Sequence, residues 1–182
     1  MTLLGVVIAA AIVVTAIIKF EFPSHGAPVH AIQTPARIGS FTRAVDLEKT
    51  THLAELRAEV NQMSAVEASD VKSAVYESRN TTADSTGQIV MFIGGHLANA
   101  APATSIIDFT QRFAGATVVS AGPLGGEAAC VEEGAGTPSP VSMCVWFDND
   151  SFGEIVSPTI NATALASVMR TVRPDLEIFV KS

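Results

Sequence analysis

The chain has 182 residues, 48% of them hydrophobic and 16% charged, with a formal net charge of −7. That composition is too apolar for intrinsic disorder and ample for one packed core. No cluster of Lys and Arg occurs anywhere, which removes the electrostatic footprint of a nucleic-acid binder or of an anionic-lipid patch.

Mean hydropathy is +0.36, high for a water-soluble domain, and much of the excess lies at the amino terminus. Thr2 to Ile18, "TLLGVVIAAAIVVTAII", is an apolar run without a charge. As a helix it spans about 26 Å, close to a bilayer core of ~30 Å, with Lys19 placed to snorkel outward. Three readings compete. A buried core helix is normally shorter and carries a polar stripe. A cleaved secretory signal has a basic n-region, missing here, and a nearby small-x-small site. The best such site, Val29-His30-Ala31, lies far beyond the run. An uncleaved signal anchor fits best and makes residues 1–20 a single transmembrane helix in contact with the lipid bilayer. Residues 21–36, rich in Pro, Gly and Ser, then read as a flexible linker. Its His25 and His30 have no neighbouring cysteine or carboxylate partner set and read as exposed linker histidines.

The domain itself is expected over 37–182. "RIGSFTRAV" forms a short strand or turn leading into a helix capped by Asp46. Leu53, Leu56, Val60 and Met63 recur at helical spacing, so that helix extends over 46–63. Val71 to Glu77 has the β-branched and aromatic content of a strand. Gln88 to Gly94 is apolar on both alternating sets, as a central strand requires, and the two strands suggest a hairpin. Pro102 opens a second helix with Ile106, Phe109 and Phe113 on one face and Gly115 as its stop. "ATVVSAG" is a further strand. A last helix is capped by Asn161, carries Leu165, Met169 and Val172 on one face and ends at Pro174, before a short strand "LEIFV". The fold class that follows is α+β, a mainly antiparallel sheet packed with about three helices behind an amino-terminal transmembrane helix. Regular βαβ alternation, which a parallel nucleotide-binding sheet needs, is missing.

Both cysteines fall in "GPLGGEAACVEEGAGTPSPVSMCVWFDND". If Cys130 faces Cys144 in a hairpin, Val131 pairs with Met143, Glu132 with Ser142 and Glu133 with Val141. The midpoint then falls in the Gly/Pro-rich loop. Opposed residues of a non-hydrogen-bonded pair have α-carbons about 4.5 Å apart, which a disulfide accepts. A metal site needs two more ligands, and His96 and Asp148 come with no ligand spacing. A redox pair needs Cys-x-x-Cys at a helix start. Two free buried thiols is the plainer alternative. A structural disulfide is the expectation, and it places the domain outside the cytoplasm.

Other motifs are weaker. Gly94 and Gly95 are read between a strand and a helix, where a phosphate rests on backbone amides in some folds, yet no Lys or third glycine follows and a tight turn is the plainer reading. Gly125 and Gly126 lack the spacing of a dinucleotide fingerprint. Asp148 opens "DNDSFGE", the start of a calcium loop, but Phe152 and Thr159 occupy ligand positions, so a polar turn is expected. No G-x-S-x-G or H-E-x-x-H occurs, and His52 reads as an exposed helix residue. Trp146 lies on the same side as Cys144 and is expected to pack against the disulfide or to line a pocket. No catalytic, cofactor-binding or metal-ligating set emerges.

The "TPARIGSFTR" entry, the "GPLGGEAAC" turn and the "CVWFDNDSFGEIV" hairpin, behind an apolar helix, resemble single-pass membrane proteins of actinobacteria with a small external domain. The resemblance covers most of the chain from Thr34 onward and implies a location and a fold, without an activity. The expected function is a membrane-anchored extracytoplasmic domain, amino terminus in the cytoplasm, that binds an envelope protein, peptidoglycan or a small ligand. An enzyme without a recognisable motif is the alternative.

Overall fold

The computed structural model describes residues 30–51, 53, 68–78, 87–98 and 100–180. The run Thr2–Ile18, His25, His52 and the far end of the first expected helix lie outside them. Among the described residues, no helix is long and apolar enough to cross a membrane.

Strands dominate. After β1 (His30–Ile32) come β2 (Arg37–Ile38), β3 (Phe41–Arg43), the helix α1 (Val45–Thr50), β4 (Ala68–Ser78) and β5 (Gln88–Leu97). Helix α2 (Pro102–Arg112) leads to β6 (Thr117–Val119), β7 (Glu127–Glu133), β8 (Val141–Phe147) and β9 (Ser151–Ser157). Helix α3 (Ala162–Leu176) runs directly into β10 (Glu177–Phe179). Eight strands form one antiparallel sheet in the order β2-β3-β4-β5-β9-β8-β7-β6. It is two meanders laid side by side: α2 carries the chain from β5 to the far edge, and the second meander returns β9 to β5. The mainly antiparallel α+β architecture expected from the sequence is observed.

Both faces of this sheet are covered, so its inner strands lack the in–out alternation of a half-solvated antiparallel sheet. On one face α1, α2 and Leu53 bury Val75, Met91, Ile93, Val131, Val145, Phe152 and Val156. On the other, α3 buries Ala74, Tyr76, Phe92, Cys130, Cys144, Trp146 and Ile155 beneath Leu165, Met169 and Val172. Fully burying each large apolar side chain contributes roughly 1.5–3 kcal/mol. Tyr76, wholly buried, gives its hydroxyl to the Pro35 carbonyl at 3.1 Å. Burial is the main reason its pKa is pushed up to about 12.

The hairpin of β7 and β8 has the register read from the sequence: Cys130 faces Cys144, Val131 faces Met143, Glu132 faces Ser142 and Glu133 faces Val141. Cys130 and Cys144 are disulfide-bonded with α-carbons 4.1 Å apart.

Four expectations are corrected. The end of the expected linker 21–36 belongs to the fold, since His30–Ile32 is a paired strand and Ile32 is buried. Helix α1 starts at Val45 behind Ala44, and Asp46 lies in its first turn, because Ala44 N–H is already held by the Val75 carbonyl of β4. Gly94 and Gly95 lie inside β5, which continues to Leu97. A side chain at Gly94 would meet the Phe92 ring at 2.7 Å and one at Gly95 the Ser69 carbonyl at 2.9 Å, so these glycines permit close packing and hold no phosphate cradle. Helix α3 continues two residues past Pro174 to Leu176. Pro174 gives up the one bond its nitrogen would make to the Arg170 carbonyl, and continuing the helix offsets this by burying Leu176 completely.

Candidate functional site

The end of the sheet where β8 turns into β9 collects most of the buried charge. β10 cannot join the large sheet because α3 has carried it above the sheet face. It pairs instead with β1, His30 against Phe179 and Ile32 against Glu177. This ribbon is fastened at both sides: the Gln33 amide donates to the Leu176 carbonyl at 2.8 Å, and Lys72 Nζ donates to the Ile32 carbonyl at 2.6 Å. Beneath the ribbon lie the β8–β9 turn, with Asp148 and Asp150, and the first residue of β9, Ser151.

Arg173 of α3 is the centre of this cluster and is fully buried. Its Nε donates to Glu177 Oε2 at 2.6 Å and its Nη2 to Asp148 Oδ2 at 3.0 Å. Nη1 donates to the carbonyls of Ala121 and Gly125, at 3.0 and 2.6 Å. Gly125 and Gly126 both have positive φ, 77° and 78°, and a Cβ on Gly126 would lie 2.4 Å from the Phe147 carbonyl. Only glycine takes that path without strain, and the path turns the Gly125 carbonyl toward the guanidinium. Glu177 accepts twice more, from Trp146 Nε1 at 3.1 Å and from the Ser151 hydroxyl. The guanidinium also lies over the Trp146 ring, 5.6 Å from its centroid.

His30 enters from β1 and is 6% exposed. Its Nδ1 is 2.7 Å from Asp150 Oδ1, and its backbone N–H donates to Asp150 Oδ2 at 2.8 Å. The Phe179 ring packs against the His30 ring, tilted by 45° with centroids 4.4 Å apart. The Nε2 atom is buried and has no hydrogen-bond partner. One donor atom from each of His30, Asp148 and Glu177 lies within 4.8 Å of the other two.

A second polar group adjoins the cluster. His96 of β5 faces Ser151 of β9 in register, and its buried Nδ1 also has no partner. Its Nε2 is 3.9 Å from Asp70 Oδ2, and Lys72 Nζ is 3.1 Å from the same oxygen. Asp70 has a positive φ of 49° at the irregularity between Ser69 and Lys72. Such a bulge re-aims side chains, here an aspartate toward both a lysine and a histidine.

The opposite face of the sheet holds a different buried acid. Glu154 is 1% exposed, flanked in register by Ile93 and Val145, and neither carboxyl oxygen has a partner. Desolvation pushes its pKa well above the ordinary carboxylate range, which favours the protonated form.

The site residues read from the sequence are thus scattered. Asp148 and Trp146 enter the cluster, and Gly125 serves it through its carbonyl. Gly94 and Gly95 are remote packing positions in β5. His30, taken as an exposed linker residue, is buried at the centre, because strand pairing with β10 draws the linker's end into the fold. Asp150 and Ser151 enter the sequence reading only inside "DNDSFGE", and Arg173 and Glu177 belong to no motif. The one signal for Arg173 is its place in the apolar stripe of α3, one residue after Val172, where a charge demands a buried partner. Glu154 stands out only between Phe152 and Val156, both on one strand face. No protein-family model, curated protein or solved structure matches the chain.

Proposed function

We propose that this chain is an extracytoplasmic interaction domain held at the cell membrane by one amino-terminal span, its amino terminus in the cytoplasm. The reading is carried by the Cys130–Cys144 disulfide, which lies within the core with both residues at 2% exposure or less. Structural disulfides persist in oxidising compartments and are rare in the cytosol. The apolar run Thr2–Ile18 supplies the span, and the resemblance to actinobacterial single-pass membrane proteins points the same way. A tether of this kind raises the effective concentration of the domain at the membrane surface. Its partner is an envelope protein, peptidoglycan or a small ligand, and the acidic balance of the chain disfavours nucleic acid.

An enzyme is supported less well. Asp150, His30 and Ser151 bring together a carboxylate, an imidazole and a hydroxyl, but Ser151 is fully buried and its hydroxyl donates to Glu177. A nucleophile so placed meets no substrate.

Thiol blocking during denaturation of the native protein, with and without prior reduction, tests the reading at Cys130 and Cys144, which are too buried to label in the folded domain. Labelling only after reduction is the expected result. Free thiols that label without reduction would overturn the compartment and, with it, the orientation. An intact-mass measurement on the native protein distinguishes an anchored chain from one cut near Ala31.

A further inference from the structure

We propose that His30, Asp148 and Glu177 form a binding site for a divalent first-row transition ion of the zinc class, with Asp150 fixing the His30 ring from behind. The three side chains come from the β1 strand, the β8–β9 turn and the start of β10, and they meet only because the ribbon closes over the turn. Their donor atoms lie within 4.8 Å of one another. Donors around one tetrahedral zinc ion at roughly 2.0–2.2 Å stand about 3.4 Å apart, so the side chains complete the set by closing by roughly 1 Å.

Three observations point to a ligand here. First, the Nδ1 of His30 is committed to Asp150 at 2.7 Å, which leaves Nε2 as the ring's coordinating atom. A histidine whose other nitrogen is held by a carboxylate is the usual arrangement at a metal, because the carboxylate fixes the tautomer and raises ligand basicity. Second, that Nε2 is buried without any hydrogen-bond partner in a residue 6% exposed. An unpaired buried ring nitrogen costs free energy that a metal bond would remove. Third, Asp148 and Glu177 share the single guanidinium of Arg173. Two carboxylates thus face one guanidinium out of water, and Asp150 adds another carboxylate beyond the ring. A divalent ion offsets both.

Arg173 does not occupy the position itself. It holds Glu177 Oε2, whose other lone pair goes to Trp146, and Asp148 Oδ2, while Glu177 Oε1 and Asp148 Oδ1 each accept one bond, from Ser151 and the Asn149 amide, and keep a second lone pair for an ion. The mixed imidazole and carboxylate donors favour zinc, manganese or iron(II) over calcium and magnesium, which take all-oxygen sets. Three protein ligands leave one position of a tetrahedral ion open. Asp150, with its side chain 18% exposed, marks the solvent side by which an ion enters.

The test uses the purified full chain, disulfide intact and stripped with a chelator, titrated with zinc by calorimetry and by fluorescence. Trp146 is the only tryptophan, and its Nε1 is bonded to Glu177, so its emission reports directly on the site. The expected result is saturable one-to-one binding with a change in Trp146 emission. His30→Ala should lower the affinity at least about 100-fold and Asp150→Asn about 10–100-fold, the range for a carboxylate behind a metal-bound histidine. Equal concentrations of calcium or magnesium should not compete. No saturable binding by the native chain overturns the site. So does native affinity in Asp150→Asn, the variant that serves if His30→Ala fails to fold, or binding that leaves Trp146 emission unchanged. These outcomes are read on purified protein and do not depend on the compartment proposed above.

Discussion

Glu154 and Glu177 lie on opposite sides of the same sheet, each 1% exposed, and they meet opposite surroundings. Glu177 accepts from Arg173, Trp146 and Ser151, so both of its oxygens have donors. Glu154 faces Ile93 and Val145 and, for want of any partner, favours its protonated form. Removing a carboxylate from water costs several kcal/mol, and what offsets that cost is the supply of donors, which burial alone does not provide. One face of the sheet therefore stores a charged network and the other a neutral acid in an apolar layer.

Removing the guanidinium breaks the comparison most severely. Arg173→Met leaves Glu177 and Asp148 buried without their cation and should destabilise the fold by about 3–5 kcal/mol, measured by urea unfolding at neutral pH. Next comes Gly153→Ala. A methyl at Gly153 falls 2.0 Å from Trp146 Cζ2, so the indole must move and its bond to Glu177 must loosen. A loss of about 2–3 kcal/mol is expected, with a shifted Trp146 emission maximum in the folded protein.

The other face should respond with the reverse sign. Glu154→Leu is expected to stabilise the protein by about 1–2 kcal/mol at pH 7–8, since it removes an unpaired polar group from the core. The pH dependence follows from the raised folded-state pKa of Glu154. Below the unfolded value, about 4.5, the acid is protonated in both states and its cost as an ion is not felt. As pH rises from there toward the folded pKa, only the unfolded chain releases the proton, and the native protein loses stability. The Tm difference between Glu154→Leu and the native chain should widen from pH 4 to pH 8, and a constant difference would refute a neutral Glu154. The smallest effect belongs to the cap of the helix that covers the charged face. Asn161 accepts from the Ala164 amide at 2.9 Å, and Asn161→Ala should cost about 1 kcal/mol by thermal unfolding.

How much of this was legible depends on how local the cause is. The Cys130–Cys144 register follows from the cysteine spacing and the turn between them, both contained in one hairpin. Pro102 at the start of α2 and Asn161 at the cap of α3 are also local signals, and both act as read. His30 and Asp150 meet across 120 positions, and Arg173 and Asp148 across 25. Neither pair has a spacing signature, because no single helix or strand brings its members together. Gly94 and Gly95 are hard to read for the same reason: besides Phe92, two residues from Gly94, what crowds them is Ser69 and Phe152, which the sheet brings into contact.

The sequence by itself determined the strand-rich α+β class, the disulfide hairpin and the helices that begin at Pro102 and Asn161, since each rests on backbone preferences and neighbours along the chain. The apolar run and its expected anchor are likewise properties of the sequence alone. The tertiary structure alone decided that the linker's end would close as a strand over Asp148 and Asp150, that Arg173 would serve Glu177, and that Glu154 would be left with no donor. Burial strips water from all of these groups at once, and which of them then finds a partner depends on elements that are distant in the chain.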